Sequence, residues 1–306
     1  MGKASRKDRG SMSAREQVRA QIAAEQAAKE RRSKMKWVGG TLLAILLIFG
    51  LVLAVTLANR GSSSAQTGPL SPSQMSALKP SEQVVDTVGA GTLLAGPERI
   101  SGTEKRLVDG KVEVLYAGAD YCPFCAGMRW SLADALSRFG AWDEPLEKSS
   151  SASAPEVHPD TSTVSFSGAK LTSDTVEFIG YETAGREMVN GRFEPKDTIS
   201  DEHTELLAKL NAPPYVEPSY AGSIPFISIG GTTIISGALF DTGALSGMTH
   251  DQITAVLSDP ESPVTQGIVG GGNVITAAIC EQLDDAPADV CQAPGVLAAA
   301  GKLAGP

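Results

Sequence analysis

The sequence predicts an α/β domain, a central mixed sheet with helices on both faces, set behind a single membrane-spanning helix. Three observations predict it. Over the body of the chain the elements read strand, helix, strand, helix, strand, strand, helix, the order of a layered α/β fold. A C-x-x-C pair, Cys122 and Cys125, stands where a strand gives way to a helix. Upstream, Trp37 to Ala58 runs 22 residues without a charge, long enough to cross a hydrocarbon core of ~30 Å.

The charges orient that span. The chain of 306 residues carries a net charge of −9, but residues 1–36 hold 11 Lys and Arg against 4 Asp and Glu, leaving 15 against 31 for the rest. Lys29, Arg31, Arg32, Lys34 and Lys36 crowd the N-terminal end of the span, and Arg60 alone sits close after it. The positive-inside rule then places residues 1–36 in the cytoplasm and everything after Asn59 outside. A cleaved signal peptide is the competing reading. Its apolar region is usually 7–15 residues, and Thr56-Leu57-Ala58 is a poor cleavage site. An acidic body also argues against nucleic acid as a partner, because phosphates repel it.

The expected organisation is a cytoplasmic basic segment at 1–36, a transmembrane helix at 37–58, a Ser/Gly/Pro-rich stalk at 59–80 and an extracytoplasmic domain at 81–306. The stalk composition is that of a flexible linker. A second Ser-rich stretch, Glu147 to Pro155, reads as a surface loop of the domain.

Within the domain, Lys111–Ala117 is a β-rich run fit for a buried strand. Cys122–Phe139 has apolar residues at helical spacing, with Gly140 as its stop. Thr163–Phe166 and Thr175–Tyr181 are strands, and Asp201–Leu210 is a helix ended by Asn211-Ala212-Pro213-Pro214. Ile224–Ile229 and Thr232–Ile235 are strands joined through Gly230-Gly231, a hairpin signal. Thr249–Leu257 and Asn273–Leu283 close the domain as helices.

The C-P-F-C sequence carries the chemistry. The first turn of a helix has free N–H groups and a partial positive charge. A Cys122 thiolate there is stabilised, so its pKa falls below the free value of about 8.5. Cys125, three residues on, is placed to attack a mixed disulfide at Cys122, and Pro123 suits the first turn. Two other readings stand beside this one. A zinc site needs more ligands, and His158, His203 and His250 are scattered. A structural Cys122–Cys125 disulfide would close a loop too short to constrain much. Asp120 opposes a thiolate if it is close, and Tyr121 shields the thiol or is a plain loop residue. Arg129, one turn past Cys125, either offsets negative charge there or, as the default reading, belongs to a solvated helix face.

Cys280 and Cys291 flank a turn containing Asp284, Asp285 and Pro287. On the oxidising side of a membrane they are expected to form a structural disulfide. A second redox pair that relays electrons from Cys122 and Cys125 is the alternative. Proline in Ser223-Ile224-Pro225-Phe226 belongs at a strand start, where no ladder N–H is needed.

Residues 111–139 and 224–257 resemble a thioredoxin-like domain. More narrowly, Val114 to Trp130 (VLYAGADYCPFCAGMRW), Asn273 to Cys280 (NVITAAIC) and the apolar span resemble the "domain of unknown function 929" family. The resemblance implies that Ile224-Pro225 is the cis-proline facing the active-site cysteines, with an ordinary trans proline as the alternative. Cys125 and Pro225 are 100 residues apart, which implies an insertion between the C-x-x-C helix and the Pro225 strand. The expected function is thiol–disulfide exchange on extracytoplasmic protein thiols or disulfides. Cys122 attacks, Cys125 resolves, Pro225 shapes the substrate groove, and neither a bound cofactor nor a metal is required. The competing class is a membrane-tethered interaction domain whose C-x-x-C is structural.

Overall fold

The computed structural model describes residues 66–304. The basic segment, the Trp37–Ala58 span and the first part of the stalk lie outside the described residues. Among the described residues, no helix is long and apolar enough to cross a membrane.

The stalk reading fails from Leu70 onward. Helix α1 (Pro72–Ala77) begins there with a capping box: the Ser71 side chain accepts from the Gln74 N–H, and the Gln74 side chain accepts from the Ser71 N–H. Pro72 occupies the first turn, where its missing N–H costs nothing. Ser-Pro-Ser-Gln is therefore a helix start, though its composition is that of a linker. Leu70 and Leu78 are buried, Leu70 N–H donates to Leu146 O at 2.8 Å, and Gln74 Nε2 donates to Asp251 at 2.8 Å. Helix α2 (Glu82–Val88) follows and buries Val84, Val85 and Val88.

The sheet is built around one strand. After β1 (Glu98–Arg99) and β2 (Leu107–Val108) comes β3 (Lys111–Gly118), buried along nearly its whole length. Helix α3 (Pro123–Phe139) leaves it through a short loop. Next come β4 (Gly140–Trp142), β5 (Glu147–Ser150), β6 (Ser162–Ser165) and β7 (Leu171–Ser173), paired β4 with β7 and β5 with β6. Strand β8 (Val176–Glu182) returns to run parallel along one edge of β3, from Val112–Val176 to Gly118–Glu182. The hairpin β9 (Ala184–Val189) and β10 (Arg192–Pro195) stands apart as its own two-stranded sheet. Helix α4 (Asp201–Leu210) then leads to β11 (Phe226–Ile229) and β12 (Thr233–Ser236). Strand β11 pairs antiparallel with the other edge of β3 and with β12. Gly230 and Gly231 make their turn with φ of 56° and 69°, a conformation that costs glycine nothing.

The sheet is thus mixed, and both faces are covered. Alternate residues of β11 and β12 enter different clusters, as the two-residue strand period requires. Ile227, Ile229 and Ile235 belong to the main core with α3. Phe226 and Ile234 pack instead with Leu206, Leu207 and Leu210 of α4. Helices α5 (His250–Val256), α6 (Pro263–Cys280), α7 (Ala288–Cys291) and α8 (Pro294–Ala300) complete the domain.

Two other sequence readings are corrected. The closing helix starts at Pro263, ten residues earlier than Asn273, and ends at Cys280. Its Gly270-Gly271-Gly272 resembles a breaker but serves close packing. A Cβ on Gly271 would crowd Ser131, and one on Gly272 would collide with the Asp134 carboxylate, both on α3. The Ser-rich stretch Glu147–Pro155 is not a surface loop throughout. Glu147–Ser150 is strand β5, and Ser150, Ser151 and Ala152 are buried. The Ser151 hydroxyl donates to His158 O and accepts from the Thr161 N–H, so serine satisfies its own burial.

Candidate functional site

Strand β3 ends at Gly118, and residues 119–121 carry the chain into α3. Cys122 is the N-cap of that helix, with extended backbone (φ −77°, ψ 120°). Its Sγ accepts the Cys125 N–H at 3.3 Å, as a Ser or Asp side chain does at other helix starts. Pro123 fills the first turn. Across the site, the start of β11 faces the sulfur: the Cys122 thiol points to Ile224 O at 3.9 Å, and the Ile224–Pro225 bond is cis. The fold therefore brings Cys122, Cys125 and the Ile224-Pro225 segment together across 100 residues of sequence. Both cysteines are free thiols.

The two sulfurs differ electrostatically. The Cys122 thiol lies below the ordinary cysteine value, because the Cys125 side chain and the backbone N–H groups of the first turn hydrogen-bond its anion and Arg129 attracts it. Burial opposes this and is outweighed. Burial dominates at Cys125, with the neighbouring Cys122 adding to it, and its thiol lies well above the ordinary value. Cys122 is 5% exposed and Cys125 is fully covered. The Cys122 sulfur is thus more sheltered than its place at a helix start suggested.

Cys280 and Cys291 form a disulfide with each other. It closes the end of α6, beside Gln282, whose side chain meets Thr232 at the β11–β12 turn. This is the end of β11 remote from Pro225, so the pair stands apart from the C-x-x-C.

Arg129 is not on a solvated face. It is fully buried, one turn along α3 from Cys125. Its Nε and Nη2 donate to the two carboxylate oxygens of Glu182 at 2.7 and 2.8 Å, and Nη2 also donates to Ala119 O at 2.5 Å. The twin bonds are the fork geometry that makes arginine–carboxylate pairs strong. Asp120 lies 3.8 Å from the same guanidinium and accepts from Lys196 Nζ at 2.6 Å. Its charge is thereby compensated, and the opposition to a thiolate anticipated from the sequence is muted. Tyr121 stacks on Phe193 of β10, with ring centroids 4.0 Å apart and planes 1° from parallel. Tyr121 and the β9–β10 hairpin together roof the loop before Cys122. Its neighbour Asp120 is tied to the hairpin as well, donating its N–H to Ala184 O at 2.8 Å.

Glu182, Lys196, Phe193 and Tyr116 escaped the sequence reading. Glu182 closes an apolar strand, a place where an acid reads as a surface terminus. Only the parallel register with Gly118 carries it under the C-x-x-C. The histidines do not converge. His250 binds Thr163 O and Ser149 O from α5, and His203 pairs with Tyr181 on the α4 side. Among the described residues, no group of three or more His, Cys, Asp or Glu is placed to hold a metal ion.

Residues 102–192 match the family model described as Domain of unknown function (DUF929). The match supports the resemblance seen at Val114–Trp130. It takes in Cys122, Cys125, Arg129 and Glu182, and it ends before Pro225 and the Asn273–Cys280 stretch. No curated protein and no solved structure matches the chain.

Proposed function

We propose that this protein is a membrane-anchored, extracytoplasmic thiol–disulfide oxidoreductase of thioredoxin-like fold. The observation that carries the reading is the placement of Cys122 Sγ. It caps a helix, accepts the Cys125 N–H at 3.3 Å, and faces Ile224 O at 3.9 Å. The strand order β8-β3-β11-β12, with the C-x-x-C between β3 and α3, supports the fold assignment. The basic flank before Trp37 supports the anchor and its orientation.

In the exchange, the Cys122 thiolate attacks one sulfur of a partner disulfide. A Cys122–partner bond forms, and the other partner sulfur leaves as a thiolate that takes a proton from water. Cys125 then gives up its proton and attacks Cys122 Sγ. The mixed disulfide breaks, the second partner sulfur leaves as a thiolate, and Cys122–Cys125 becomes the disulfide. Two electrons pass from the pair to the partner, and the reverse sequence oxidises a partner dithiol. The disulfide carries the electrons, so the chain's own residues suffice.

The test is trapping. With Cys125→Ser no thiol remains to resolve the mixed disulfide, so partner adducts on Cys122 accumulate on non-reducing gels. Cys122→Ser traps nothing and does not equilibrate with glutathione. If neither variant traps a partner and Cys122 of the intact protein titrates as a free thiol, the C-x-x-C is structural and the protein is a tethered interaction domain.

A further inference from the structure

Arginine is seldom stripped entirely of water, and Arg129 is. Its position explains what surrounds it. Cys125 and Arg129 are four residues apart on α3, and Cys122 lies one further turn back, so all three share a helix face. Glu182 takes Nε and Nη2 of the guanidinium. Nη1 has no hydrogen-bond partner among the described residues, and neither has the fully buried Tyr116 hydroxyl beside it. A Cβ on Gly118, at the end of β3, would collide with that hydroxyl, so Tyr116 folds back beneath the active loop. Glu182 in a fork, with Asp120 at 3.8 Å, is thus set against a guanidinium with a donor to spare, in a medium where charges act strongly on each other.

We infer that the buried Arg129–Glu182 pair sets the reactivity of the two sulfurs, Arg129 supplying the counter-charge for a sulfur anion at the helix start and Glu182 withholding part of that charge. Both act as positioning residues through the field at the sulfurs. The inference deepens the exchange reading by naming what tunes that site. Its directions agree with the environment: Arg129 draws both thiols down and Glu182 pushes Cys125 up. Glu182 itself is raised by burial against the pull of Arg129. Asp120 and Lys196 face the pair from the loop and from beyond β10 and largely offset each other. Tyr116 completes the ring from β3.

The experiment is the pH dependence of Cys122 alkylation by iodoacetamide in the full chain, with folding followed by circular dichroism. Glu182→Gln keeps the guanidinium and removes its restraint, so the Cys122 pKa falls. Arg129→Met paired with Glu182→Met leaves no buried charge unpaired, which keeps the fold. In that variant the Cys122 pKa rises by about one unit or more. Arg129→Lys, which retains a charge, restores part of the lowering. A structural ion pair would leave the alkylation profile of every folded variant on that of the wild type, and that result overturns the inference. A rise in Glu182→Gln overturns it as well. The alkylation readout needs no exchange activity. If the variants shift as expected while Cys125→Ser traps no partner, the exchange reading fails and the electrostatic one stands.

Discussion

Tyr121 and Phe193 lie face to face, ring on ring at 4.0 Å, and this single stack ties the β9–β10 hairpin to the residue before Cys122. The hairpin reaches the body by few other routes, among them the Arg186–Asp160 ion pair at 2.7 Å and the Lys196–Asp120 pair at its base. Its tip exposes Met188 and Val189. Such a projecting ribbon is short of buried apolar area, so its hold on the loop rests on the stack together with the Asp120 N–H bond to Ala184 O and the Lys196–Asp120 pair.

Phe193→Ala is expected to loosen that roof. An aromatic pair of this geometry contributes about 0.5–1.5 kcal/mol beyond its burial. Cys122 alkylation at fixed pH should therefore quicken roughly two- to tenfold, with its pKa unmoved, because the helix start and Arg129 are untouched. Limited proteolysis near Asn190-Gly191 should also become faster. An unchanged alkylation rate would mean that the hairpin does not control access to the sulfur.

Removing the Cys280–Cys291 disulfide by a double change to alanine tests its role. The bridge closes a separation of 11 residues, for which loop-closure reasoning gives about 2–3 kcal/mol of stability. The urea midpoint should fall accordingly. The rate and pH profile of Cys122 alkylation should not change, since the bridge sits at the far end of β11. A changed Cys122 profile would favour a relay between the pairs.

Much of the scaffold was legible because local periodicity and tertiary burial agree. The strand read at Lys111–Ala117, which runs one residue further to Gly118, the helix Asp201–Leu210 and the Gly230-Gly231 hairpin fall where their patterns place them. The readings failed where a residue's context reverses its usual meaning. Ser71 and Pro72 look like a linker and start a helix. Gly270-Gly271-Gly272 look like a break and are the contact surface of α6. Serines at 150 and 151 look solvated and are buried, Ser151 with its hydroxyl bonded to His158 O and the Thr161 N–H. The two cysteines could be found from C-x-x-C alone, and Ile224-Pro225 from the element order. Arg129 could be singled out by its place one turn past Cys125, but its burial and its pairing with Glu182 could not, because they depend on the β3–β8 register across 53 residues of chain, which nothing local encodes.

Gly272→Ala tests the close approach of α3 and α6. The added methyl has nowhere to go except the space of the Asp134 carboxylate, which is itself held by Arg138 at 2.7 Å. Overpacking of this kind costs about 1–3 kcal/mol. The gain in helix propensity of alanine over glycine is about 1 kcal/mol and does not offset a displaced ionic group. The thermal midpoint should drop. A rise would show that the helices separate without loss and that the glycine serves no packing role.

Asp134 gives the fold a pH dependence of its own. It is fully buried between α3 and α6, and burial pushes its carboxyl up from 3.8 to about 6 even though Arg138 binds it. Arg138 also donates to Asn273 Oδ1 at 2.6 Å, and Asn273 Nδ2 donates to the Val85 and Gly89 carbonyls, so the carboxyl heads a network that joins three helices. The sign follows from the direction of the shift. Between about pH 4 and pH 6 the folded chain holds a proton on Asp134 that the unfolded chain has released. Stability from this group therefore falls as pH rises through that window and is level above it. A shift of this size corresponds to a loss on the order of 3 kcal/mol. Asp134→Asn removes the titration while its Oδ1 still accepts from Arg138. The measurement is the urea midpoint of both proteins at several values between pH 4 and pH 7. The wild type should lose stability relative to Asp134→Asn as pH rises from 4 to 6, and the difference should then stay constant. A difference that instead grows in favour of the wild type with rising pH would mean that the Arg138 pairing outweighs the burial of the charge.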